Sequence, residues 1–528
     1  MEKFLIILVS VVALIVLLIV FRKKIKNFLY EFYILLKDVI KAIFNTIINN
    51  KHIKAFFDKH YKIRDFIKAR FDLKNVYGLR LTFILAVLII SAIYFVSIGN
   101  NYIHKELMFQ FDIRVKNLFF FLRDSEMIKL FTFITNFADP KMIIIAVSLF
   151  LGFLVVNKKK NYIIPFFVSI GFASVSDYII KNIFERPRPD VGVYVEHGFS
   201  FPSGHSTIVI AFYGFIAYFL IRNIEKIKNK IIIIFFTIIL ALIVGFSRIY
   251  LGAHYLSDVM GGLLLGLFAL FLSIAITEIF FIKEDKEKIV CNFKKCHIFY
   301  ITFLILEVLF TLIFKHKLNL SHISFANNIN IQYVDSGLYK EFDNNNIPKY
   351  SEKLSGSIQE PISFIVLANN DNDLLNLFDK SGWQLARKPN IKSLLTVADA
   401  ALKNQPDSTG PMTPSFWNTQ VHDFGFEKAT IKNTARQRHH ARFWKTNIII
   451  DGKMAYMGTA SFDVGVKMGI THKIAPDIDT EREFLFNDLN NSGLIKKYSK
   501  QPFVSPTLGK NLAGDEFFTD GETYLIEI

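Results

Sequence analysis

The sequence predicts an all-α polytopic membrane core followed by a soluble mixed α/β domain. Three observations predict it. Apolar residues make up 52% of the 528 residues, which excludes a disordered chain and argues against a wholly soluble one. Runs approaching the roughly 20 apolar residues of a spanning helix recur before residue 320 and stop there. The net charge of +16 divides at the same place. Residues 1–319 hold 40 basic and 22 acidic residues, and residues 320–528 hold 22 and 24. The basic half is therefore the apolar half. Nucleic-acid binding gathers its cations on a soluble face and is disfavoured; Lys- and Arg-rich cytoplasmic loops produce this pattern directly. The two cysteines, Cys291 and Cys296, exclude a disulfide-stapled scaffold and make a poor zinc signal.

The spans follow in order. The first is 4–21, whose length and weak basic start set it apart from a cleaved signal peptide. Seven more are expected at about 81–98, 142–156, 162–180, 206–221, 231–247, 259–282 and 298–314. Basic clusters at Arg22–Lys26, Lys158–Lys160, Arg222–Lys230 and Lys283–Lys288 all fall inside if both termini lie outside. Loop 99–141, with six basic and five acidic residues, and Lys315 and Lys317 fit that rule less well. Four regions result. Residues 1–80 form an anchor and a basic cytoplasmic segment. Residues 81–282 form a six-span core, 283–319 a cytoplasmic loop and the eighth span, and 320–528 an extracytoplasmic domain. Between Arg22 and Arg80 stand 15 basic and five acidic residues among Phe, Ile and Leu. Segment 28–48 reads equally as an amphipathic helix on the inner leaflet or as a plain hairpin between anchors.

Ionisable residues at span ends are functional candidates. Lys181 and Arg188-Pro189 follow the fourth span, Pro202-Ser203-Gly204-His205 opens the fifth, and Ser247-Arg248, His254 and Asp258 lie between the sixth and seventh. The expected topology brings all three groups to one outer end. Lys181, Arg188 and Arg248 suit a group with several charged oxygens, Arg as a fork and Lys as a point charge. Ser203 is placed to cap the fifth helix, and Gly204 lets backbone amides approach an anion. Of two histidines, one can attack phosphorus while the other protonates the leaving oxygen. Asp258 stands one helical turn from His254 and can orient its imidazole. Three cations in one pocket repel a divalent metal, so no metal or other cofactor is expected. Singly, each of these residues reads more readily as a snorkelling, capping or interhelical group. Asp177, four residues before Lys181, reads as its structural partner, and Arg186 is off register.

The ordered set K-x6-R-P, P-S-G-H and S-R-x5-H-x3-D resembles the signature of the type 2 phosphatidic acid phosphatase superfamily, without a substitution and over about 81–282. The resemblance implies that His254 is the nucleophile of a phosphohistidine, that His205 is the general acid and that Asp258 orients His254. Lys181, Arg188, Ser203, Gly204 and Arg248 would hold the phosphate. It also implies a lipid phosphate or pyrophosphate as substrate.

In the soluble half, Pro361–Leu367 reads as a strand, and Asn372–Lys380 and Ile391–Lys403 read as helices. Trp444–Ile450 and Met454–Gly458 read as a hairpin turning at Asp451-Gly452. The Asn- and Ser-containing stretch 321–358 reads as a linker. Gly382-Trp383, Arg438–Trp444 and Thr471–Glu483 resemble the LssY C-terminal domain, which accompanies the phosphatase core in bacterial membrane proteins and implies no settled activity. A second candidate site, for a divalent ion, gathers His439, His440, His472, Asp477, Asp479 and Glu481; a hydrogen-bonded structural network is the more frequent use of such residues.

The expectation is therefore a lipid phosphatase of a bacterial cytoplasmic membrane, with its site and C-terminal domain facing the periplasm or exterior. Its partners are a lipid phosphate and the bilayer, with no nucleic acid and no protein partner indicated. A lipid phosphotransferase using the same phosphohistidine, and a membrane-anchored binding or assembly protein, are the alternatives.

Overall fold

The computed structural model describes residues 24–281 (save 40, 44, 47, 48 and 73–75), 332, 333, 342, 347–389, 393, 409–434, 437–467, 471–511 and 514–528. The chain divides into two compact units. One comprises residues 1–104 and 125–323; the other comprises 105–124 and 324–528.

The first unit is all helical. Two short basic helices, α1 (Lys51–Lys59) and α2 (Tyr61–Arg70), precede α3 (Leu81–Ile103). Helix α4 (Leu107–Phe121) belongs to the second unit. The bundle resumes with α5 (Ser125–Thr135), α6 (Pro140–Val156), α7 (Ile163–Phe184), α8 (Gly204–Asn223), α9 (Ile227–Tyr250) and α10 (Leu256–Ile276). Five stretches are long and apolar enough to cross a membrane: Tyr77–Ile103, Lys160–Phe184, Gly204–Asn223, Ile227–Tyr250 and Leu256–Phe281. Ser125–Ala138 and Pro140–Val156 make a sixth when taken as one span bent by 44°. The bend falls where Asp139 caps the new helix through the Lys141 amide and Pro140 takes its first position. Six of the eight expected spans are therefore present; those at 4–21 and 298–314 lie outside the described residues. The stretch read as loop 99–141 is mostly helix, in which Asp112 and Arg114 are buried and Lys129 pairs with Glu126 at 2.8 Å.

Helices α8 and α10 pack closely. A Cβ on Gly262 would stand 2.4 Å from the Ser203 carbonyl oxygen, and one on Gly266 would stand 2.5 Å from that of Thr207. Small residues allow this contact where lipid gives no hydrophobic push between helices. A phenylalanine cluster (Phe150, Phe166, Phe212, Phe215, Phe219) fills the space between α6, α7 and α8. At the end of the bundle away from the motif residues, buried Glu278 accepts from Tyr218 and pairs with Arg222 at 3.3 Å and Arg80 at 3.7 Å.

The second unit is mixed α/β. Its strands are β1 (Gln332–Tyr333), β2 (Tyr350–Glu352), β3 (Ile358–Pro361), β4 (Phe364–Ala368), β5 (Gln384–Leu385), β6 (Phe416–Trp417), β7 (Gln420–Val421), β8 (Phe424–Thr434), β9 (Gln437–Ile450) and β10 (Lys453–Lys467). They continue with β11 (Thr471–Ile474), β12 (Lys497–Pro502), β13 (Thr507–Lys510), β14 (Glu516–Thr519) and β15 (Glu522–Glu527). The main sheet runs β12-β15-β4-β10-β9-β8-β5, with β4 parallel to β15. The hairpin turns at Asp451 (φ 49°) and Gly452 (φ 78°), the two left-handed positions of a tight turn. Helices α11 (Asp371–Lys380) and α12 (Ile478–Asn491) bury Leu374, Phe378, Leu485 and Leu489 against one face of the sheet. On the other face Ile365, Leu367, Trp444, Met457 and Phe503 form a separate core.

Part of the expected linker is structured, since β2 and the start of β3 fall within 321–358. The expected helix 391–403 lies outside the described residues, save for Ser393. Helix α4 joins this unit through side chains. Arg114 donates from Nε to Glu352 at 2.8 Å, and the Asn117 amide donates to the Thr419 carbonyl at 2.9 Å.

Candidate active site

The residues of the three sequence motifs meet at one end of the first unit, around a cavity of ≈ 940 Å³. Lys181, Arg188, Gly204, His205, Arg248 and His254 all line it. Lys181 sits in the last turn of α7, which stops at Glu185 in a left-handed conformation (φ 45°). The chain then runs without helix to Ser203, and this loop carries Arg188 and Glu196. Ser203, fully buried, caps α8: its hydroxyl accepts from the Ser206 amide at 3.5 Å and from the Ser206 hydroxyl at 3.0 Å. His205 therefore enters the cavity from the first turn of α8. Arg248, in the last turn of α9, is buried without exposure. His254 and Asp258 stand on either side of the start of α10, both buried.

His254 is held from two sides. Its Nδ1 lies 3.5 Å from Asp258 Oδ2 and 3.4 Å from the Ser200 hydroxyl. Its Nε2 lies 3.2 Å from Arg188 Nη1. A guanidinium can only donate, so Nε2 is the acceptor and the ring proton sits on Nδ1, facing the carboxylate. Burial pushes this imidazole down to about 4, against the Asp258 hydrogen bond and with help from Arg248. The ring is neutral at pH 7, and its Nε2 lone pair faces Arg188 at the cavity wall.

Asp258 is fixed by four further groups. Arg186 Nη1 pairs with Oδ1 at 2.7 Å, the Ser200 hydroxyl donates to Oδ2, and the Tyr255 amide donates at 2.8 Å. Its own carbonyl accepts from the Ser203 amide at 2.9 Å. Arg186 is itself buried, packed over the rings of Tyr102 at 4.6 Å and Tyr255 at 4.2 Å. The arginine that was off register in the motif thus acts through Asp258.

Each cation expected to hold phosphate already has a carboxylate. Lys181 pairs with Asp177 at 2.6 Å. Arg188 pairs with Glu196 at 2.6 Å, and Arg248 pairs with the other oxygen of the same carboxylate. Arg248 also donates to Thr135 at 2.9 Å and to the Tyr194 hydroxyl at 2.6 Å. Arg188 is aimed by the carbonyls of Gly198 and Ala253, both at 3.0 Å. Burial pushes the Glu196 carboxyl up, but Arg248, His254, His205 and Arg188 together hold it well below the carboxylate range. Glu196, Tyr194 and Ser200 were not singled out in the sequence. The signal for Glu196 was there: three converging cations require counter-charge, and Glu196 is a carboxylate in the short loop joining the first two motifs.

The described members of the second candidate set do not converge. Successive residues of a strand face opposite ways, and His439 and His440 are neighbours on β9. His439 pairs with Glu481 at 2.9 Å and stacks on Phe484 at 4.2 Å. His440 meets Asp463 at 3.2 Å and Ser461 at 2.8 Å. Asp477 caps α12 through the amides of Asp479 and Thr480, and Asp479 pairs with Arg482 at 2.9 Å. His472 falls on β11, and its side chain lies outside the described residues. Among the described residues no group of three or more His, Cys, Asp or Glu side chains is arranged to hold a metal. The described acids and imidazoles here go into separate ion pairs and a helix cap.

The class that fold and site define is matched by family comparison. Residues 162–281 match the PAP2 superfamily, and residues 344–523 match the LssY C-terminus. The chain thus carries a PAP2-like region followed by an LssY-like region. Phosphatidylglycerophosphatase B of Bacillus subtilis is 44% identical over 96 residues, which are 18% of this chain. The chain spans about half of that protein, 47% of its length. The crystal structure of a PAP2-type phosphatidylglycerolphosphate phosphatase from Bacillus subtilis aligns over 37% of this chain and 96% of its own, at 27% identity and TM-score 0.35. That of Aquifex aeolicus LpxE aligns over 31% and 92%, at 23% identity and TM-score 0.26.

Proposed function

We propose that this chain is an integral membrane phosphatase that removes phosphate from a lipid phosphate or pyrophosphate through a phosphohistidine on His254. The observation that carries the reading is the two-sided hold on His254, with Asp258 at Nδ1 and Arg188 at Nε2. In the first half-reaction Nε2 attacks phosphorus and the bond from phosphorus to the lipid oxygen breaks. His205 gives its proton to that oxygen, and Arg188, Arg248 and Lys181 hold the three remaining phosphoryl oxygens. In the second half-reaction His205 takes a proton from water, whose oxygen displaces Nε2 and releases phosphate. No metal enters either step.

A lipid substrate is supported by the rest of the cavity wall. Below the charged end it is lined by Ile143, Ile144, Val147, Ile170 and Ala173 on α6 and α7, an apolar flank for an acyl or prenyl chain. The outer face is supported by the basic residues at the other end of the bundle, including Lys158–Lys160 and Lys226–Lys230, which mark the cytoplasmic side. A bacterial cytoplasmic membrane is the setting for this reading.

The test is phosphate release by purified protein from phosphatidate, phosphatidylglycerophosphate and a polyprenyl diphosphate, with EDTA present. Release that survives EDTA and is lost in His254→Ala is expected. Activity retained by that variant would remove His254 as nucleophile, and silence on all lipids would remove the hydrolase reading.

A further inference from the structure

We propose that the basic segment between residues 24 and 70 is a binding surface for anionic phospholipid, and that it lies along the leaflet at the end of the bundle away from the motif residues. This surface is independent of the reaction at His254.

Helix 24–39, α1 and α2 make up most of the segment. It is held to the bundle near both of its ends. Lys26 Nζ donates to the Asn229 side chain at 2.6 Å, and Lys228 Nζ stands 4.4 Å from the centre of the Tyr30 ring, both in the first turn of α9. At the other end the Thr82 hydroxyl, in α3, donates to the Arg70 carbonyl at 3.1 Å. Between these points large apolar side chains stand uncovered. Phe28, Phe32, Leu35, Leu36 and Val39 recur at helical spacing along 24–39, and all are exposed. Lys26 and Tyr30, which meet α9, project from the opposite flank, so this stripe faces away from the bundle. Helix α2 repeats the pattern with Ile63, Phe66 and Ile67, and neither α1 nor α2 buries a residue. Phe28 is 67% exposed and Phe66 is 61% exposed, which leaves almost no protein contact to account for them.

Apolar stripes of this length are rarely left in water. Nor can the segment span the bilayer. Glu31, Lys37 and Asp38 interrupt 24–39, and among the described residues the first spanning stretch begins at Tyr77. Charge selects what covers it. Between Arg22 and Arg80 there are 15 basic and five acidic residues. A second copy of the chain would bring the same excess and be repelled. Nucleic acid would supply negative charge but no apolar layer for phenylalanine and isoleucine. An anionic leaflet supplies both: headgroup charge for Lys and Arg, and acyl chains just beneath for Phe, Ile and Leu. The Arg70 guanidinium lies 5.0 Å over the Phe66 ring, a pairing that lets the ring enter the leaflet while the cation stays at headgroup level.

The experiment uses the full chain carrying Cys291→Ser and Cys296→Ser, in nanodiscs of phosphatidylcholine alone or mixed with phosphatidylglycerol. One new cysteine at a time, Phe32→Cys, Phe66→Cys, Lys37→Cys or Asp65→Cys, carries a fluorophore, and its quenching by a nitroxide placed just below the lipid headgroup is measured. With phosphatidylglycerol present, the labels at Phe32 and Phe66 should be quenched about threefold more than those at Lys37 and Asp65, which lie off the stripes. That difference should fall by about twofold or more in phosphatidylcholine alone. Lys54→Glu, Lys62→Glu and Lys68→Glu together should produce the same fall for the label at Phe66. Equal quenching on and off the stripes overturns the docking. A difference that is the same in both kinds of disc, or that survives the three glutamates, overturns anionic lipid as the partner. A stripe label shielded from both the lipid nitroxide and aqueous iodide assigns the surface to a protein cover and overturns it as well. Phosphate release is not read in any arm, so failure here leaves the phosphatase reading standing, and an inactive enzyme leaves this test intact.

Discussion

Arg188 Nη1 stands 3.2 Å from Nε2 of His254, so the residue that is to hold phosphate also fixes the tautomer of the residue that is to attack it. The same nitrogen reaches the Ala253 carbonyl and Glu196. A lysine has one compact donor group and no fork, and it cannot keep these contacts together. Arg188→Lys should lower kcat/KM for phosphate release by about a hundredfold while the protein stays folded. A loss below threefold would mean that the guanidinium only balances charge.

Glu196 pairs with both Arg188 and Arg248. Its carboxyl is held well below the carboxylate range, with Arg248, His254, His205 and Arg188 outweighing burial. It therefore remains ionised from pH 5 to 8 and competes with any entering oxyanion throughout that window. Glu196→Gln keeps the shape and removes the charge. Orthovanadate, an anion with phosphate geometry, should bind this variant about tenfold more tightly, read as its inhibition constant. Weaker binding would instead assign Glu196 to building the anion site.

Much of this arrangement was legible in the sequence, for identifiable reasons. Spans are readable because apolar length is a direct physical requirement, and Lys181, Arg188, Ser203, His205, Arg248, His254 and Asp258 sit at fixed spacings at their ends. Glu196 and Ser200 are in a loop without periodicity, where spacing says nothing about direction; only the need for counter-charge pointed to the first. The helical pair Ser125–Ala138 and Pro140–Val156 was read short because Asp139-Pro140 interrupts the apolar run. Within 439–481, strand alternation sends the neighbours His439 and His440 to different partners, Glu481 and Asp463, which composition alone does not show.

Arg186 predicts stability as well as rate. It is buried against Asp258, Ser257 at 2.6 Å and two tyrosine rings. Removing one member of such a pair leaves the other charge uncompensated, at a cost of about 3–5 kcal/mol. Arg186→Met should therefore lower the thermal midpoint of the detergent-solubilised protein and reduce turnover with it. Asp258→Asn leaves the buried Arg186 charge uncompensated in turn, so it should lower the midpoint comparably, and it should reduce turnover by about a hundredfold or more through the His254 tautomer. Equal midpoints for wild type and Arg186→Met would show that the pair contributes nothing to the fold.

Within the second unit, His422 contributes a stability that is lost as pH falls and that can be measured. His422 is 3% exposed, and its Nδ1 accepts from the Ser415 amide at 3.4 Å. Burial, with the nearby Arg442 charge, pushes it down to about 3; burial likewise pushes His440 down to about 4. Unfolded, each takes a proton below about 6.5. The unfolded state thus binds more protons below that pH, and each histidine adds a stability that rises with pH by about 1.4 kcal/mol per unit and is lost as pH falls. Asp423, which burial pushes up to about 6, works the other way between pH 4 and 6, so the informative quantity is a difference between variants. His422→Asn keeps an acceptor for the Ser415 amide and cannot titrate. All three tryptophans, Trp383, Trp417 and Trp444, lie in this unit, and their fluorescence follows its unfolding within the full chain. Between pH 6 and 4.5 the denaturation free energy of His422→Asn should fall less steeply than that of wild type, by close to one proton's worth of slope. Parallel curves would mean that His422 is protonated in the folded state and that burial does not govern it.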